Sequence, residues 1–315
     1  MKCLIVQPIH ADGLTLLREA GIEPVFCPTS DMATVARLIG GCDAVITRDA
    51  GLSAEAIAAS DVLKAIVVHG AGHDPVDKAA AARKGALVCN TPGANARSVS
   101  ELALGLAIAA ARLIPAGDLA VRNGVQGFRE NNRFSELFGK TALIVGWGAT
   151  GAGLGKMLDS AFGMRVIAYS PRNPDTGPFE RAELLADALA VADLVSLHTP
   201  LRDETRNLFD AKAFAAMKKG TILINTARAG LVDETALADA LADGTVAAAG
   251  LDVYSPSAPQ GPLAASNRVI FTPHLGGNTA EALQRVAVGA ARNVITALSG
   301  QRPATTIETI SEPAL

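Results

Sequence analysis

One pattern constrains this chain more than any other. Short β-branched runs alternate with Ala- and Leu-rich runs of helical spacing along nearly the whole sequence. Over the first ninety residues, strands are expected at 2–9, 43–47, 63–69 and 86–90, with helices at 13–20, 53–60 and 75–84. Ser53 stands at an N-cap position, and Glu55 lies in the first turn after it. A long helix follows at 98–113, then an aperiodic polar stretch at 122–138 that reads as a surface loop. A second series then begins, with strands at 141–145, 165–170, 193–198, 221–226, 247–253 and 269–272. Its helices include 151–162 and 234–241, and the last helix is 280–298. Strands alternating with helices argue for parallel sheets wrapped by helices, an α/β architecture. At roughly 150 residues per domain, 315 residues suggest two domains.

Composition removes several classes of function. Hydrophobic residues make up 49% and charged ones 19%, which excludes a disordered chain. A net charge of −3 supplies no basic field for nucleic acid or an anionic membrane. Aromatics are only 4%, so the core must be aliphatic and Ala-rich, with helices packed closely on strands. Cys3, Cys27, Cys42 and Cys89 follow no metal-ligand spacing and read as buried thiols of a reducing compartment. The N-terminus runs straight into a strand and shows no cleavable leader. The most apolar stretch, 102–114, contains Arg112 and is shorter than the ~20 residues a membrane span needs. The expectation is a soluble, cytoplasmic protein.

The most informative local run is Gly146-Trp147-Gly148-Ala149-Thr150-Gly151. A GxGxxG alone is weak in a Gly-rich chain. Here a strand (Ala142–Val145) leads in and an apolar helix (Leu154, Met157, Leu158) leads out, the setting of a dinucleotide site. The glycines permit the tight turn, and the helix N-terminus aims free N–H groups at the pyrophosphate. The alternative is an ordinary strand–turn–helix with permissive glycines.

The next strand ends at Ser170, 19 residues past Gly151. An NAD site usually has an acid there to grip the ribose 2′-OH. A carboxylate would repel a 2′-phosphate, whereas the small hydroxyl of Ser170 with the guanidinium of Arg172 would bind one. NADP(H) is therefore expected in preference to NAD(H); on the alternative reading Arg172 is a solvated surface charge.

Two further residues lie just past strand ends, where ligands of parallel sheets bind. Arg228 follows the strand 221–226, and His274 follows 269–272. Hydride transfer to or from a 2-oxo or 2-hydroxy acid needs a cation to hold the carboxylate and polarise the carbonyl. It also needs a proton carrier for the hydroxyl oxygen. A guanidinium fork suits the first task, and an imidazole, which titrates near neutral pH, suits the second. Position alone leaves open a surface arginine and a hydrogen-bonded histidine.

Further runs carry a resemblance. Gly70-Ala71-Gly72-His73-Asp74-Pro75-Val76-Asp77, Asn90-Thr91-Pro92 with Ser98-Val99-Ser100-Glu101, and His198-Thr199-Pro200-Leu201 with Thr205 belong to it. So do Asn225-Thr226-Ala227-Arg228-Ala229-Gly230-Leu231-Val232-Asp233 and Thr272-Pro273-His274-Leu275-Gly276-Gly277. Together they resemble the D-isomer-specific 2-hydroxyacid dehydrogenases, a family that includes phosphoglycerate, glycerate and hydroxypyruvate dehydrogenases and reductases. The likeness extends over nearly the whole chain.

The resemblance implies two doubly wound parallel-sheet domains, a Rossmann cofactor domain inserted in a flavodoxin-like substrate domain, with the site in the cleft between them. Residues 1–96 plus 282–315 would bind substrate and 97–281 the dinucleotide. Arg228 would orient the substrate carboxylate and carbonyl, and His274 would be the acid/base. The N–H groups of Ala71 and Gly72 would hold the carboxylate. Gly146, Gly148, Ala149, Thr150 and Gly151 would face the pyrophosphate, with Thr199, Pro200 and Thr205 in a second cofactor loop. Thr226 and Asp252 would contact the nicotinamide side, and Ala227, Gly276 and Gly277 would also bind the cofactor. The helix 98–113 would make a homodimer.

One position departs from the family pattern. The Glu expected five residues after Asp252, which pairs with the catalytic His and favours its protonated form, falls on Ser257. No acidic residue occurs between Asp252 and Glu281. Three readings stay open: a less readily protonated His274 oriented by Ser257 or water, an acid supplied by a distant residue or partner subunit, and lost activity. The first is favoured because Arg228, His274 and the cofactor loop survive.

Among the remaining candidates, Arg48 follows a strand of the first domain and is a candidate for the substrate's distal group. His69 and His73 lie in a Gly loop with no Cys or carboxylate to complete a metal set, so no metal is expected. His10 reads as a loop histidine and His198 as structural or cofactor-adjacent. The chain is expected to be an NADP-preferring reductase of a small 2-oxo acid such as glyoxylate or hydroxypyruvate, reversible toward the D-2-hydroxy acid, with NAD possible. The alternatives are a cofactor-sensing protein without turnover and an NAD-linked phosphoglycerate-type dehydrogenase. Ser170, and the chain's ending without a regulatory domain, speak against the latter.

Overall fold

The structure, a computed structural model, describes residues 1–308; residues 309–315, assigned above to the first domain, lie outside the described residues. The chain forms two compact units. One is Met1–Asn95 with the segment from Gly277 on, and the other is Ala96–Gly276. The return to the first unit thus comes at 277, five residues earlier than the expected 282, where Gly277 lies against Asn95.

In chain order, the first unit carries β1 (Lys2–Ile5), α1 (Ala11–Glu19), β2 (Glu23–Phe26), α2 (Met32–Leu38), β3 (Ala44–Thr47), α3 (Ala54–Ala58), β4 (Ala65–Val68), α4 (Lys78–Lys84) and β5 (Leu87–Cys89). The second unit opens with α5 (Ala96–Arg112), α6 (Ile114–Arg122) and α7 (Phe128–Asn131), then β6 (Thr141–Val145), α8 (Ala149–Phe162), β7 (Arg165–Tyr169) and β8 (Glu180–Arg181). It continues through α9 (Leu185–Leu189), β9 (Leu194–Leu197), α10 (Ala211–Ala215), β10 (Thr221–Asn225), α11 (Glu234–Ala242), β11 (Val246–Leu251) and β12 (Val269–Phe271). The last helix, α12 (Ala280–Leu298), returns to the first unit.

Both sheets are parallel throughout. The first has strand order β2-β1-β3-β4-β5 and the second β12-β11-β10-β9-β6-β7-β8. Each is covered on both faces, which is why its strands are apolar at nearly every position. In the first unit, Leu4, Val45, Ile66 and Val88 pack with Val35, Ile57 and Ala81, while Ile5, Ile46 and Val67 pack with Leu17, Ala290 and Val294. That is the two-residue period of a strand dividing its side chains between two layers of helices. In the second unit, Ala142, Ile144, Ile222 and Ile224 meet Ala103, Leu106 and Ala107 of α5 and Leu154 and Leu158 of α8. The Ala-rich face lets α5 come close: a Cβ on Gly250 would lie 2.9 Å from Leu106 Cβ.

Several expectations need correction. Most strands stop one to four residues short of the expected ends, where the chain turns out of the strand into the following loop. β2 and α2 were not expected, and the stretch 122–138 contains α7. Cys3, Cys42 and Cys89 are buried, but Cys27 is only half-buried; all four thiols are free. Burial pushes each of these thiols above its ordinary pKa. Among the described residues no single helix is long and apolar enough to cross a membrane; α5 and α6 form a pair bent by 57°.

Candidate active site

In the second sheet the strand order reverses between β6 and β9, and ligands of open α/β sheets bind outside the carboxyl ends at such a point. Gly146 leaves β6 with φ +100°. A Cβ there would stand 2.6 Å from the backbone carbon of His198, which follows β9. Only glycine lets the two loops approach so closely. A Cβ on Gly151 would fall 2.1 Å from Gly146 O, so the turn closes tightly onto the first turn of α8. Gly148 is the N-cap of α8 and offers no side chain, so none caps this helix end. The N–H groups of Ala149 and Thr150 are therefore left for an anion. Thr150 O accepts from Ser100 Oγ at 2.8 Å, which fixes the turn against α5.

Past β7, Ser170 is buried. The loop after it is tied to the Gly turn by Asn173 Nδ2, which donates to Trp147 O at 2.8 Å. Arg172 is exposed and forms an ion pair with Glu204. Past β9, Thr199 and Pro200 enter a loop braced by Thr205, whose Oγ1 donates to Pro200 O and accepts from Arg202 N, both at 2.8 Å. Thr205 is thus the brace of this loop, a role its expected cofactor contact did not suggest. His198 Nε2 lies 2.8 Å from Ser196 Oγ. Desolvation pushes its imidazole down to about 4, so it stays neutral at working pH, a structural histidine.

Arg228, Asp252 and His274 follow β10, β11 and β12, three consecutive strands of the sheet. Two strand spacings separate β10 from β12, roughly 10 Å. Buried Asn225 shapes the Arg228 turn: its Oδ1 accepts from Ala227 N at 3.0 Å and its Nδ2 donates to Arg228 O at 2.9 Å. Arg228 Nη1 donates to Ala227 O at 2.6 Å. Thr226 Oγ1 is buried with no hydrogen-bond partner among the described residues.

Asp252 was expected on the nicotinamide side. Its carboxylate is buried, and its oxygens are occupied by the His274 turn. Oδ1 accepts from Thr272 Oγ1 at 2.6 Å and from Leu275 N at 2.7 Å, and Oδ2 from Gly276 N at 2.8 Å. Ser98 Oγ adds a bond to Gly276 O at 2.6 Å. Within this clasp His274 adopts φ +54°, a left-handed conformation costing an L-residue about 1–2 kcal/mol. The exposed imidazole is thus presented on a backbone held in place by Asp252. Gly276 has no room for a side chain: a Cβ would lie 3.1 Å from Asp252 Oδ2.

Ser257 is exposed, and its Oγ lies 3.0 Å from Ser255 Oγ. Ser255 in turn donates Oγ to Glu234 Oε2 at 2.5 Å and N to Glu234 Oε1 at 2.7 Å. A carboxylate therefore reaches this segment from the start of α11, 21 residues earlier. Sequence reasoning missed Glu234 because nothing local marks a contact at that separation.

In the first unit, Gln7 Oε1 accepts from Arg48 N and Ala50 N, both at 3.1 Å, and Arg48 Nη1 donates to Pro8 O at 3.1 Å. These bonds join the loops after β1 and β3, between which this sheet's order reverses. The Gly70 loop follows β4. Gly70 has φ +146°, Thr91 Oγ1 accepts from its N–H at 2.9 Å, and Asn90 Nδ2 donates to Ala71 O at 2.7 Å. These bonds hold the loop backbone at Gly70 and Ala71. His69 is buried beside Arg48, and desolvation pushes its imidazole down to about 4. No cluster of metal-ligating residues occurs among the described residues. His10 caps α1 by accepting from Asp12 N.

The second unit is thus a nucleotide-binding α/β domain by strand order and turn geometry. Residues 104–276 match the model of the D-isomer specific 2-hydroxyacid dehydrogenase, NAD binding domain. The chain is 42% identical over 267 residues to the D-3-phosphoglycerate dehydrogenase of Mycobacterium tuberculosis, covering 82% of this chain and 50% of that protein. It is 39% identical over 289 residues to the hydroxypyruvate reductase of Thermotoga maritima, covering 90% and 93%. The TT0316 protein of Thermus thermophilus superposes with a TM-score of 0.89 at 34% identity, covering 98% and 100%. The chain spans about half the length of the mycobacterial relatives it matches. It belongs to the D-isomer-specific 2-hydroxyacid dehydrogenase family.

Proposed function

We propose that this protein moves a hydride between NADP(H) and a small 2-oxo acid, such as glyoxylate or hydroxypyruvate, giving the D-2-hydroxy acid in the reductive direction. The observation that carries the reading is the placement of Arg228 and His274 at the carboxyl ends of two strands that flank β11, with Asp252 clamping the His274 turn. About 10 Å between those strand ends leaves room for a two- or three-carbon acid.

The residues fit a dinucleotide. The uncapped start of α8 suits the pyrophosphate, a Cβ at Gly146 or Gly151 would fill the cradle, and the unpartnered Thr226 Oγ1 suits a carboxamide. Gly148, Ala149, Thr150, Thr199, Pro200, Ala227 and Gly277 complete that lining. When bound, the reduced nicotinamide supplies the hydride. Arg228 binds the substrate carboxylate and draws charge toward the carbonyl oxygen. His274 gives its proton to that oxygen as the alcohol forms, and takes it back in the reverse direction. Ala71 and Gly72 are assigned backbone N–H contacts to the carboxylate, and Arg48 a guanidinium contact to the distal end. Ser257 orients the His274 ring. The NADP preference rests on Ser170 and Arg172.

Two wider proposals accompany this one. The helix 98–113, formed as α5, is assigned to a homodimer, and Ile114, Leu119 and Val121 on the adjoining α6 are more than half exposed. The four free thiols suit a reducing cytoplasm. The deciding experiment follows NADPH consumption with a panel of 2-oxo acids. Turnover on glyoxylate or hydroxypyruvate that disappears in His274→Ala supports the reading. Tight NADPH binding with no turnover on any member of the panel overturns it.

A further inference from the structure

We propose that Glu204 occupies the 2′-phosphate subsite as an internal anion, held between Arg172 and Arg202, and that displacing it sets how strongly the protein prefers NADP(H) over NAD(H). The inference rests on the NADP reading above and adds two residues to it.

The geometry is built from both sides. Arg172 is carried on the loop that Asn173 ties to Trp147 of the Gly turn, one residue away. Glu204 sits in the 3-10 turn Asp203–Thr205 after β9. That turn is rigid: Thr205 Oγ1 bonds Pro200 O and Arg202 N, and Arg206 N donates to Arg202 O at 2.9 Å. From it, Glu204 Oε1 pairs with Arg172 Nη2 and lies 3.9 Å from Arg202 Nη1. One carboxylate thus faces two guanidiniums.

A ribose 2′-phosphate fits that arrangement better than the carboxylate does. It carries about −1.5 to −2 charges and three acceptor oxygens at neutral pH, so it can engage both guanidiniums in forked bonds. It cannot do so beside an ionised Glu204, because the two anions would share one site. NADP(H) must therefore displace the Glu204 side chain, whereas NAD(H) leaves the ion pair intact. All three side chains are substantially exposed, so the ion pair is weak and exchange is easy.

The test measures dissociation constants of NADPH and NADH by fluorescence titration, with 2′,5′-ADP and 5′-AMP as competitors. The variants are Glu204→Gln, Arg202→Ala and Arg172→Ala. Glu204→Gln is expected to tighten NADPH and 2′,5′-ADP by up to about fivefold and to leave NADH and 5′-AMP unchanged. Arg202→Ala weakens NADPH alone. An ordinary surface ion pair would move neither ratio. If Arg172→Ala weakens NADPH selectively while Glu204→Gln leaves the NADPH/NADH ratio unchanged, the Glu204 proposal fails and the NADP reading stands. If Arg172→Ala does not discriminate the two nucleotides, both fail.

Discussion

Replacing Asp252 with Asn tests the clasp on which the site depends. The side chain keeps its shape and loses one acceptor. With the amide oxygen in the Oδ1 position, the bonds from Thr272 Oγ1 and Leu275 N survive, but the amide NH2 then faces Gly276 N–H, whose present bond is 2.8 Å long. With the amide flipped, Leu275 N–H is the one left without an acceptor, and Thr272 Oγ1 must accept from the NH2 where it now donates. Losing a charge-assisted bond costs about 1.5–3 kcal/mol, and stranding a buried N–H about 1–3 kcal/mol. The two overlap, and together come to about 2–4 kcal/mol. Because His274 is held at φ +54° by this clasp, the loss also releases the turn that presents the imidazole. Misplacing a catalytic group by about 1 Å can cost up to ~100-fold in rate. Thermal unfolding should report a transition roughly 5–15 °C lower, and steady-state kinetics a lower kcat with little change in KM for NADPH. An Asp252→Asn variant with unchanged Tm and unchanged kcat would refute the argument that this carboxylate holds the His274 turn.

Three further perturbations follow from the same geometry. Ser257→Glu restores a carboxylate where the family carries one and favours imidazolium at His274, so the alkaline limit of ketoacid reduction should move to higher pH; an unchanged profile would show that position 257 does not address His274. His69→Gln should flatten the acid limb of stability. The folded imidazole titrates near 4 against about 6.5 unfolded, so below pH 6.5 the unfolded chain takes up a proton that the folded one refuses. Up to about 3 kcal/mol present above pH 6.5 is lost as pH falls toward 4. Denaturation midpoints at pH 7 and 4.5 that fall equally in both proteins would count against it. Gly146→Ala forces a side chain onto the His198 carbonyl at positive φ, costing at least about 2 kcal/mol, and should weaken NADPH binding more than tenfold; retained affinity would contradict the cradle.

What could be read in advance divides along contact distance. The helix 280–298 matches α12 end to end because its signals are local: Thr279 caps it, and the apolar residues recur at helical spacing. The Gly turn was legible for the same reason, since strand, glycines and helix are contiguous. Short elements were harder. α9 and α10 have five residues each, too few to show a period. β2 is an edge strand with Pro24 inside it and little burial. α5 starts at Ala96, two residues before the expected 98, so that Ser98 lies in its first turn and bonds Gly276 O. Arg228 and His274 could be placed by counting from strand ends. The long-range contacts of the surrounding loops could not. Asp252 meets its partners 20–24 residues away, Glu234 meets Ser255 at 21, and Arg172 meets Glu204 at 32. Only the folded sheet, which sets the ends of distant strands side by side, brings these together.

The central claim is that a hydride reaches the carbon beside a carboxylate while Arg228 and His274 attend the oxygen. Reduction of hydroxypyruvate with NADPH deuterated at nicotinamide C4, followed by mass and chiral analysis of the product, measures this directly. The account predicts D-glycerate carrying deuterium at C2 from one face of the ring, and none formed by His274→Ala. Product free of deuterium, or product of the L series, would contradict it.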